Sequence, residues 1–232
     1  MPTVLITGAN RGLGLEFCRQ YASLNWRVHA TYRNLKAKEE LDKLVSTHAN
    51  ITLHELDVSD FSAIDRLADY MSSENIDLLI CNAGIFGREE SNRFGTIDYT
   101  EWMDALVINA KAPVNLTEAF LPHLKRSERR IIVVMSSWLG SITDNKNGGF
   151  LIYRSSKAAL NAAMKSLAID LRKDEIGVLI MHPGWVRTDM GGPEAPVECI
   201  DSIAGMVSVI DNFRLDEDTG RFIDFEGKDV NW

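Results

Sequence analysis

The fold is decided by residues 4–14, which read VLITGANRGLG. A short apolar strand, Val4–Thr7, turns through three glycines into a helix predicted over Leu13–Leu24. Because glycine lacks a Cβ, such a turn can bend sharply and let a phosphate approach the backbone. The helix that follows presents free N–H groups and the positive end of its dipole. The stretch therefore predicts a cradle for a dinucleotide pyrophosphate. The residues expected to form it are Gly8, Asn10, Arg11, Gly12, Leu13 and Gly14.

The rest of the chain alternates short apolar runs with amphipathic stretches. Further strands are predicted at Arg27–Tyr32, Ile51–Leu56, Ile76–Cys81, Ile131–Met135, Val178–Met181 and Arg221–Phe225. Further helices are predicted at Leu35–Val45, Phe61–Met71, Thr100–Leu124 (bent at Pro113), Tyr153–Arg172 and Cys199–Phe213. Strands that are apolar on both faces and separated by helices indicate a parallel sheet covered on both sides. We therefore predict an α/β fold, a Rossmann-type doubly wound parallel sheet of about seven strands with helices on both faces. One domain is expected over residues 1–232.

The composition narrows the class of protein. Of 232 residues, 45% are hydrophobic and 25% are charged, which is typical of a globular protein. The net charge of −8 argues against a nucleic-acid partner, since phosphate backbones need a basic face. No apolar run approaches a membrane span, and the N-terminus lacks the features of a signal peptide. Three widely spaced cysteines suit a reducing compartment, and neither they nor the five histidines have metal-site spacing. A cytoplasmic protein without a metal or a membrane partner is expected.

Two arginines indicate which dinucleotide is preferred. An acidic residue at the end of the second strand would bind a ribose 2′-hydroxyl and repel a 2′-phosphate. Here the strand is followed by Arg33, whose planar guanidinium suits a phosphate, and Arg11 in the glycine turn could reach the same group. Two cations and no carboxylate at these positions favour NADP(H).

Tyr153 and Lys157 give the sharpest signal of catalysis. Residues four apart lie on one face of a helix, so both side chains can address the same point. A free tyrosine titrates near about 10, and a neighbouring ammonium favours the phenolate and lowers the pKa. We therefore expect Tyr153 to have a lowered pKa and to give its proton to a carbonyl oxygen while a hydride reaches the carbon.

A hydroxyl at the end of the fifth strand could complete this set. Ser136 and Ser137 both follow Met135, and a serine here would stabilise the charge that develops on the substrate oxygen. The residues themselves leave the choice between the two serines open.

These motifs, taken in order, resemble the short-chain dehydrogenase/reductase family over nearly the whole chain. The resemblance rests on Thr7-Gly8-x-x-x-Gly12-x-Gly14, Asn82-Ala83-Gly84, Tyr153-x-x-x-Lys157 and Pro183-Gly184-x-x-x-Thr188. Within the family, the segments Met135–Ile142, His182–Gly192 and Gly220–Trp232 are similar to sniffer-type carbonyl reductases and to the C-factor-like subgroup.

The resemblance implies roles for further residues. The family pattern Ser-x-x-Gly selects Ser137, although the segment between Ser137 and Tyr153 is longer than usual, with Asn145–Gly149 as the inserted part. Asn109 is implied at a helix bend, where its backbone carbonyl would hold a water linked to Lys157 in a proton relay; it could equally be a polar residue that merely supports the bend. Lys157 would also bind the cofactor ribose.

Other implied residues lie against the cofactor. An aspartate after the third strand contacts adenine in relatives, the Asn-Ala-Gly segment packs beside adenosine, and the threonine after the sixth strand binds the nicotinamide carboxamide. Asp57 could instead cap the next helix, and Thr188 could instead cap a short following segment. The implied cofactor-binding residues are Asp57, Val58, Asn82, Ala83, Gly84, Tyr153, Lys157, Pro183, Gly184, Val186 and Thr188.

The sequence thus predicts an NADPH-dependent oxidoreductase that reduces the carbonyl of a small aldehyde, ketone or quinone. Its pocket would be lined by residues that follow three of the strands, each of which could instead be core or interface packing: Phe86, Trp138, Leu139, Phe150, Trp185 and Met190. Two alternatives stay open. One is a non-enzymatic NADP-binding signalling or regulatory protein of the C-factor type, and the other is an NAD-dependent alcohol dehydrogenase on the same fold. The resemblance also implies a homodimer or homotetramer.

Overall fold

The apolar runs of the sequence form strands that are covered on both faces, as their composition requires. The computed structural model describes residues 1–35, 38–88 and 90–232. The strands are β1 (Thr3–Ile6), β2 (Arg27–Tyr32), β3 (Ile51–Glu55), β4 (Leu78–Cys81), β5 (Ile131–Met135), β6 (Gly177–His182) and β7 (Phe222–Asp224). The α-helices are α1 (Gly12–Ser23), α2 (Glu39–Thr47), α3 (Phe61–Tyr70), α4 (Tyr99–Leu106), α5 (Ala112–Lys125), α6 (Leu151–Asp170), α7 (Cys199–Asp211) and α8 (Leu215–Asp218).

The seven strands form one sheet in the order β3-β2-β1-β4-β5-β6-β7. Every neighbouring pair is parallel. The strand order reverses between β1 and β4, which is the switch point where doubly wound sheets bind ligands at the carboxyl ends of their strands. The predicted doubly wound α/β fold is confirmed.

Alternate residues of each strand feed two hydrophobic cores, one on each face of the sheet. In β1, for example, Val4 and Ile6 point to one core and Leu5 to the other. Helices α1, α2 and α7 cover the first face through Phe17, Tyr21, Leu41, Leu44, Ile203 and Met206. Helices α3, α5 and α6 cover the second face through Ile64, Leu67, Leu116, Phe120, Leu160 and Met164. Burial on both faces explains why these strands are apolar throughout.

The helix predicted over Leu35–Val45 begins later than expected. Its observed range is Glu39–Thr47, and residues 36–37 of the prediction lie outside the described part of the chain. The first turn of α2 carries three acidic residues, which suit the positive end of the helix dipole, whereas apolar periodicity alone extended the helix upstream.

The helix predicted over Thr100–Leu124 is interrupted before Pro113. A π-helical segment, Val107–Lys111, separates α4 from α5, and Pro113 lies in the first turn of α5. Proline is tolerated there, because the first turn needs no donor, but it cannot give the usual hydrogen bond to the carbonyl four residues earlier. That carbonyl belongs to Asn109, so the irregularity falls on this residue rather than on the proline.

Within the described residues, no helix is long and apolar enough to cross a lipid bilayer. The single-domain organisation expected over residues 1–232 stays a prediction.

A large side chain in the second core should contribute strongly to stability. Phe120 is fully buried in it. We expect Phe120→Ala to lower the free energy of unfolding by about 3–5 kcal/mol, because it removes a large apolar side chain and leaves a cavity. Phe94→Ala is the matched control, since Phe94 is 96% exposed and should change stability little. Urea unfolding measures both, and equal effects would show that the core is assigned wrongly.

Candidate active site

A cleft of about 890 Å³ opens at the switch point of the sheet, over the carboxyl ends of its central strands. Most of the predicted cofactor-binding residues meet there, although they come from six separate stretches of the chain. Those that line the cleft are Gly8, Asn10, Arg11, Gly12, Leu13, Arg33, Asp57, Val58, Asn82, Ala83, Gly84, Tyr153, Lys157, Pro183 and Thr188. Parallel strands explain the convergence, because all their carboxyl ends lie at one edge.

Three residues of the predicted set lie behind the cleft wall instead. A Cβ on Gly14 would come within 2.3 Å of the Gly8 carbonyl oxygen, so this glycine lets α1 pack against its own turn. Gly184 has a φ of +86°, a conformation that favours glycine. Val186 is buried and pairs with Val197 in an isolated β-bridge. These residues shape the cleft without facing it.

Asn82, the residue after β4, connects the glycine turn to that strand. Its side-chain amide donates to the main-chain oxygens of Thr7 (2.9 Å) and Gly8 (3.0 Å). In return, the Thr7 hydroxyl accepts hydrogen bonds from the main-chain N–H groups of Asn82 and Ala83. The turn approaches so closely that a Cβ on Gly8 would lie 2.9 Å from the Cα of Ala83. Small residues are therefore required on both sides.

The start of α1 suits an anion. Arg11 is its N-cap residue, and its side chain makes no capping hydrogen bond to the described residues of the first turn. The first N–H groups of a helix have no partner within the helix and carry partial positive charge. Since Gly12 and Leu13 line the cleft, these donors are available to a pyrophosphate there. The free N–H groups at the start of α1 and their position at the cleft therefore fit the pyrophosphate of a dinucleotide.

The two arginines expected at the adenosine end are at the cleft. Arg33 lines it, and Arg11 lines it while forming an exposed ion pair of 2.7 Å with Asp189. This pair connects the glycine turn to the loop after β6. Exposed pairs of this kind contribute little free energy, so Arg11 can exchange Asp189 for a phosphate at small cost.

Asp57 and Thr188 line the cleft but are also held by their own loops. The Asp57 carboxylate accepts from the N–H and hydroxyl of Ser59, whereas Asp60 caps α3. The Thr188 hydroxyl accepts from the Gly191 N–H at 3.1 Å and so organises a tight turn. Both side chains therefore have a structural task in addition to the implied cofactor contacts.

Tyr153 is 7% exposed and lies on the first turns of α6. Burial raises the pKa of its phenol to about 12, and a hydrogen bond with the Ser137 hydroxyl opposes that rise. The expected lowering of the Tyr153 pKa is therefore not what the protein's own groups produce. The desolvation of the phenolate outweighs the neighbouring donor. The phenol is held in its neutral, proton-donating form at physiological pH.

Lys157 lies one helical turn further and is equally buried. Its Nζ donates to the main-chain oxygen of Met135 at 2.7 Å, and lies 5.6 Å from the centre of the Tyr153 ring. Burial lowers the pKa of Lys157 to about 8. The ammonium is thus anchored to the end of β5, and it points toward the cleft beside the tyrosine.

The structure separates the two serines. Ser136 lines the cleft wall, but its hydroxyl donates to Asn161 at 2.5 Å in a buried contact. Ser137 is half-buried, and its hydroxyl accepts from the Leu139 N–H at 3.2 Å and contacts the Tyr153 phenol. The hydroxyl placed beside Tyr153 is therefore that of Ser137.

Asn109 sits inside the π-helical segment and is 1% exposed. Its side chain accepts from the Ile85 N–H (2.9 Å) and donates to the Ile85 oxygen (2.8 Å) and to the Ser156 hydroxyl (2.9 Å). A Cβ on Gly84 would lie 3.1 Å from Asn109 Oδ1 and 3.6 Å from Lys157 Nζ, which places both side-chain atoms close to one point beside this glycine. The Asn109 side chain supports the bend. The backbone carbonyl of Asn109 is the one that Pro113 leaves without the regular helical donor.

The residues predicted for the substrate side divide into two groups. Met190 lines the cleft, and Phe86 packs against Tyr153 in a tilted arrangement with 4.6 Å between ring centres. Phe150 contacts Phe86 at 5.3 Å. Trp138 and Trp185 are about half exposed. The Trp138 indole N–H donates to the Asp144 carboxylate, and the Trp185 indole N–H donates to the Gly191 oxygen.

Further cleft residues were missed by sequence reasoning. They are Leu15, Glu39, Glu40, Leu56, Ile85, Ile108, Met135 and Asp189. Position at a strand end could have found Met135 and Leu56. No local signal marks Glu39 and Glu40, because they lie in the first turn of α2 and not at the end of a strand. Among the described residues, no group of His, Cys, Asp and Glu is arranged to hold a metal ion.

Comparison with known proteins assigns the family. Residues 2–198 match the short chain dehydrogenase family model. C-signal of Myxococcus xanthus is 42% identical over 157 residues, which cover 68% of this chain and 93% of that protein. The chain belongs to the short-chain dehydrogenase family of oxidoreductases.

Solved structures show the same relationship. Carbonyl reductase Sniffer of D. melanogaster is 38% identical with a TM-score of 0.92, and the match covers both chains completely. The NADPH-bound carbonyl reductase from chicken fatty liver is 35% identical with a TM-score of 0.92, over 100% of this chain and 99% of the other. The resemblance seen in the sequence to sniffer-type reductases and to the C-factor-like subgroup is thus confirmed.

The pKa of Lys157 predicts a pH dependence. Its folded value of about 8 lies below that of a free lysine, so the ammonium is lost as pH rises through 8. The neutral phenol of Tyr153 persists over this range. We expect kcat/KM for the oxidoreductase activity to fall as pH rises through about 8, and steady-state rates across that value measure it.

Lys157→Arg is the control for this assignment. Arginine stays charged, so the decline near pH 8 should vanish from whatever activity the variant retains. A decline at the same pH in Lys157→Arg would assign it to another group.

Proposed function

We propose that this protein is an NADPH-dependent carbonyl reductase. The observation that carries the proposal is a buried, neutral Tyr153 phenol that shares a cleft with Lys157 and an uncapped helix start, and that is hydrogen-bonded to Ser137. The two carbonyl reductases described above, one of them NADPH-bound, support it by their similarity over the whole chain.

The cofactor would lie along the cleft from Arg33 to Lys157. The first amides of α1 would bind its pyrophosphate, and Arg11 and Arg33 would hold its 2′-phosphate. Lys157 would hold the nicotinamide ribose with its ammonium, and Thr188 would face the carboxamide. NADPH supplies the hydride that reaches the carbonyl carbon.

Side chains of the protein would supply the proton that the carbonyl oxygen needs. Ser137 donates a hydrogen bond to the carbonyl oxygen and stabilises the charge that develops there. Tyr153 gives its phenolic proton to that oxygen, which yields the alcohol. The raised pKa suits this direction, because a phenol that stays protonated is ready to donate. A water held by the backbone carbonyl of Asn109 would then return a proton to Tyr153 through Lys157.

Small aldehydes, ketones or quinones are the substrates we propose. The wall beside Tyr153 is aromatic, formed by Phe86 and Phe150. The nearest cation on the loop after β6, Arg187, is already paired with Glu198 and bonded to the Ala195 oxygen. This loop offers a large anionic substrate no further cation, since Arg187 is the one basic residue in 183–198. A panel of aldehydes, ketones and quinones, followed by NADPH absorbance, would identify the class.

A signalling protein that binds NADP without catalysis is the second candidate, favoured by the similarity to C-signal. It gives no reason for the Tyr153, Lys157 and Ser137 set, which binding alone does not need. A cytoplasmic location and assembly into a homodimer or homotetramer stay predictions.

Removal of the phenol hydroxyl tests the proposed chemistry. We expect Tyr153→Phe to lower kcat by at least about a hundredfold, because the proton donor is lost. NADPH binding, measured by fluorescence titration, should persist. Tyr99→Phe is the matched control, since Tyr99 is 71% exposed on α4. Turnover retained in Tyr153→Phe would remove this residue from the mechanism.

Cofactor choice is tested at Arg33. We expect Arg33→Asp to weaken NADPH binding about tenfold or more while affecting NADH far less, because a charge-assisted contact to the 2′-phosphate becomes repulsive. Arg66→Asp makes the same charge change at an exposed site on α3 and controls for long-range effects. A wild-type preference for NADH would instead support an NAD-dependent alcohol dehydrogenase.

A further inference from the structure

The helix that carries Tyr153 begins without a cap of its own. Its N-cap residue, Phe150, has a φ of +48° and makes no side-chain capping hydrogen bond to the described residues of α6. The left-handed region is strained for a bulky side chain, and phenylalanine has no oxygen to offer the free amides. The first turn of α6, which includes Tyr153, therefore depends on support from elsewhere.

Asn92 supplies that support from the loop between β4 and α4. It is completely buried. Its Oδ1 accepts from the Ile152 N–H at 2.7 Å, and its main-chain oxygen accepts from the Leu151 N–H at 3.0 Å. These are the first two amides of α6, so one residue does the work that a local cap does in other helices.

The other end of the same carboxamide holds the aromatic wall. Asn92 Nδ2 donates to the Phe86 oxygen at 3.2 Å. The Phe86 ring in turn lies 4.6 Å from the Tyr153 ring. One buried amide thus fixes both the helix that presents the phenol and the residue packed against it.

The loop around Asn92 is itself anchored to α4. The Glu101 carboxylate accepts from the Arg88 N–H at 2.8 Å and from the Ser91 hydroxyl. Trp102, the next residue of α4, donates to Ser155 of α6 at 2.8 Å. Asn92 is therefore held by a fixed frame and can resist movement of α6.

We propose that Asn92 is a positioning residue, which holds the Tyr153 phenol and the Phe86 wall in register for carbonyl reduction. The kinetic test of this inference, a change in kcat, rests on the proposed function. The structural test, hydrogen exchange at the start of α6, does not. Asn92 acts through the backbone of Leu151, Ile152 and Phe86. A loosened first turn would misplace the Tyr153 hydroxyl relative to Ser137, and small misplacements of a reacting group cost large factors in rate.

The experiment compares Asn92→Ala and Asn92→Asp with a matched control. Asn50→Ala is that control, because the Asn50 side chain also bonds two main-chain groups, the oxygens of Ala22 and Trp26, away from the cleft. Asn92→Ala should lower kcat about tenfold while the Kd for NADPH changes little, and Asn50→Ala should leave kcat unchanged. Thermal unfolding shows whether the two variants lose comparable stability.

Hydrogen exchange reads the helix start directly. The amide of Ile152 should exchange faster in Asn92→Ala than in wild type or Asn50→Ala, whereas that of Leu151, which bonds the main-chain oxygen of residue 92, should change less. Asn92→Asp keeps the acceptor for Ile152 but cannot, when ionised, donate to Phe86. It should therefore keep the Ile152 amide protected and raise the KM for the carbonyl substrate. This variant also tests the proposal if Asn92→Ala fails to fold.

Three results would overturn the proposal. They are unchanged kcat and exchange in Asn92→Ala, an equal loss of kcat in Asn50→Ala, and an Ile152 amide that exchanges as fast in Asn92→Asp as in Asn92→Ala. A wild-type protein that binds NADPH but reduces no carbonyl would refute the proposed function, while the exchange measurement would still decide the role of Asn92.

Discussion

The hydrogen bond from Lys157 Nζ to the Met135 oxygen is the contact on which the rest of the site depends. It joins the helix that carries the phenol to the last residue of β5. The ammonium is buried and needs a partner, because an unpaired buried charge is costly. This need fixes the rotation of α6 about its axis. Once that rotation is set, Tyr153 faces the cleft, and Ser137, two residues past Met135, faces Tyr153.

Burial governs the proton chemistry of this pair. It raises the pKa of the phenol and lowers that of the ammonium, since it disfavours the charged form of each group. The pKa values of the two groups therefore move apart, to about 12 for Tyr153 and about 8 for Lys157. A tyrosine that stays protonated beside a lysine that titrates near 8 suits donation of a proton followed by its replacement. The same desolvation that costs stability sets the protonation states that reduction requires.

Much of this arrangement could be predicted from the sequence. The seven strands follow from apolar runs buried on both faces, and Tyr153 and Lys157 follow from helical spacing. The π-helical bend shows the limit. Pro113 signalled an irregularity and the family resemblance implied a bend at Asn109, but neither indicated that the bend is a π-helical segment over Val107–Lys111. The direction of the Tyr153 pKa was also wrong, since charge spacing along a helix says nothing about how deeply the phenol is buried.

The sequence by itself determined the doubly wound fold, the glycine turn and the helical pair, because each is encoded within a few neighbouring residues. The tertiary structure decided which serine faces the phenol, how Lys157 is anchored and what caps α6. Asn92 lies 60 residues before Ile152 in the chain, and no local pattern connects them. Such contacts exist only after the strands have aligned and brought their loops to one edge of the sheet.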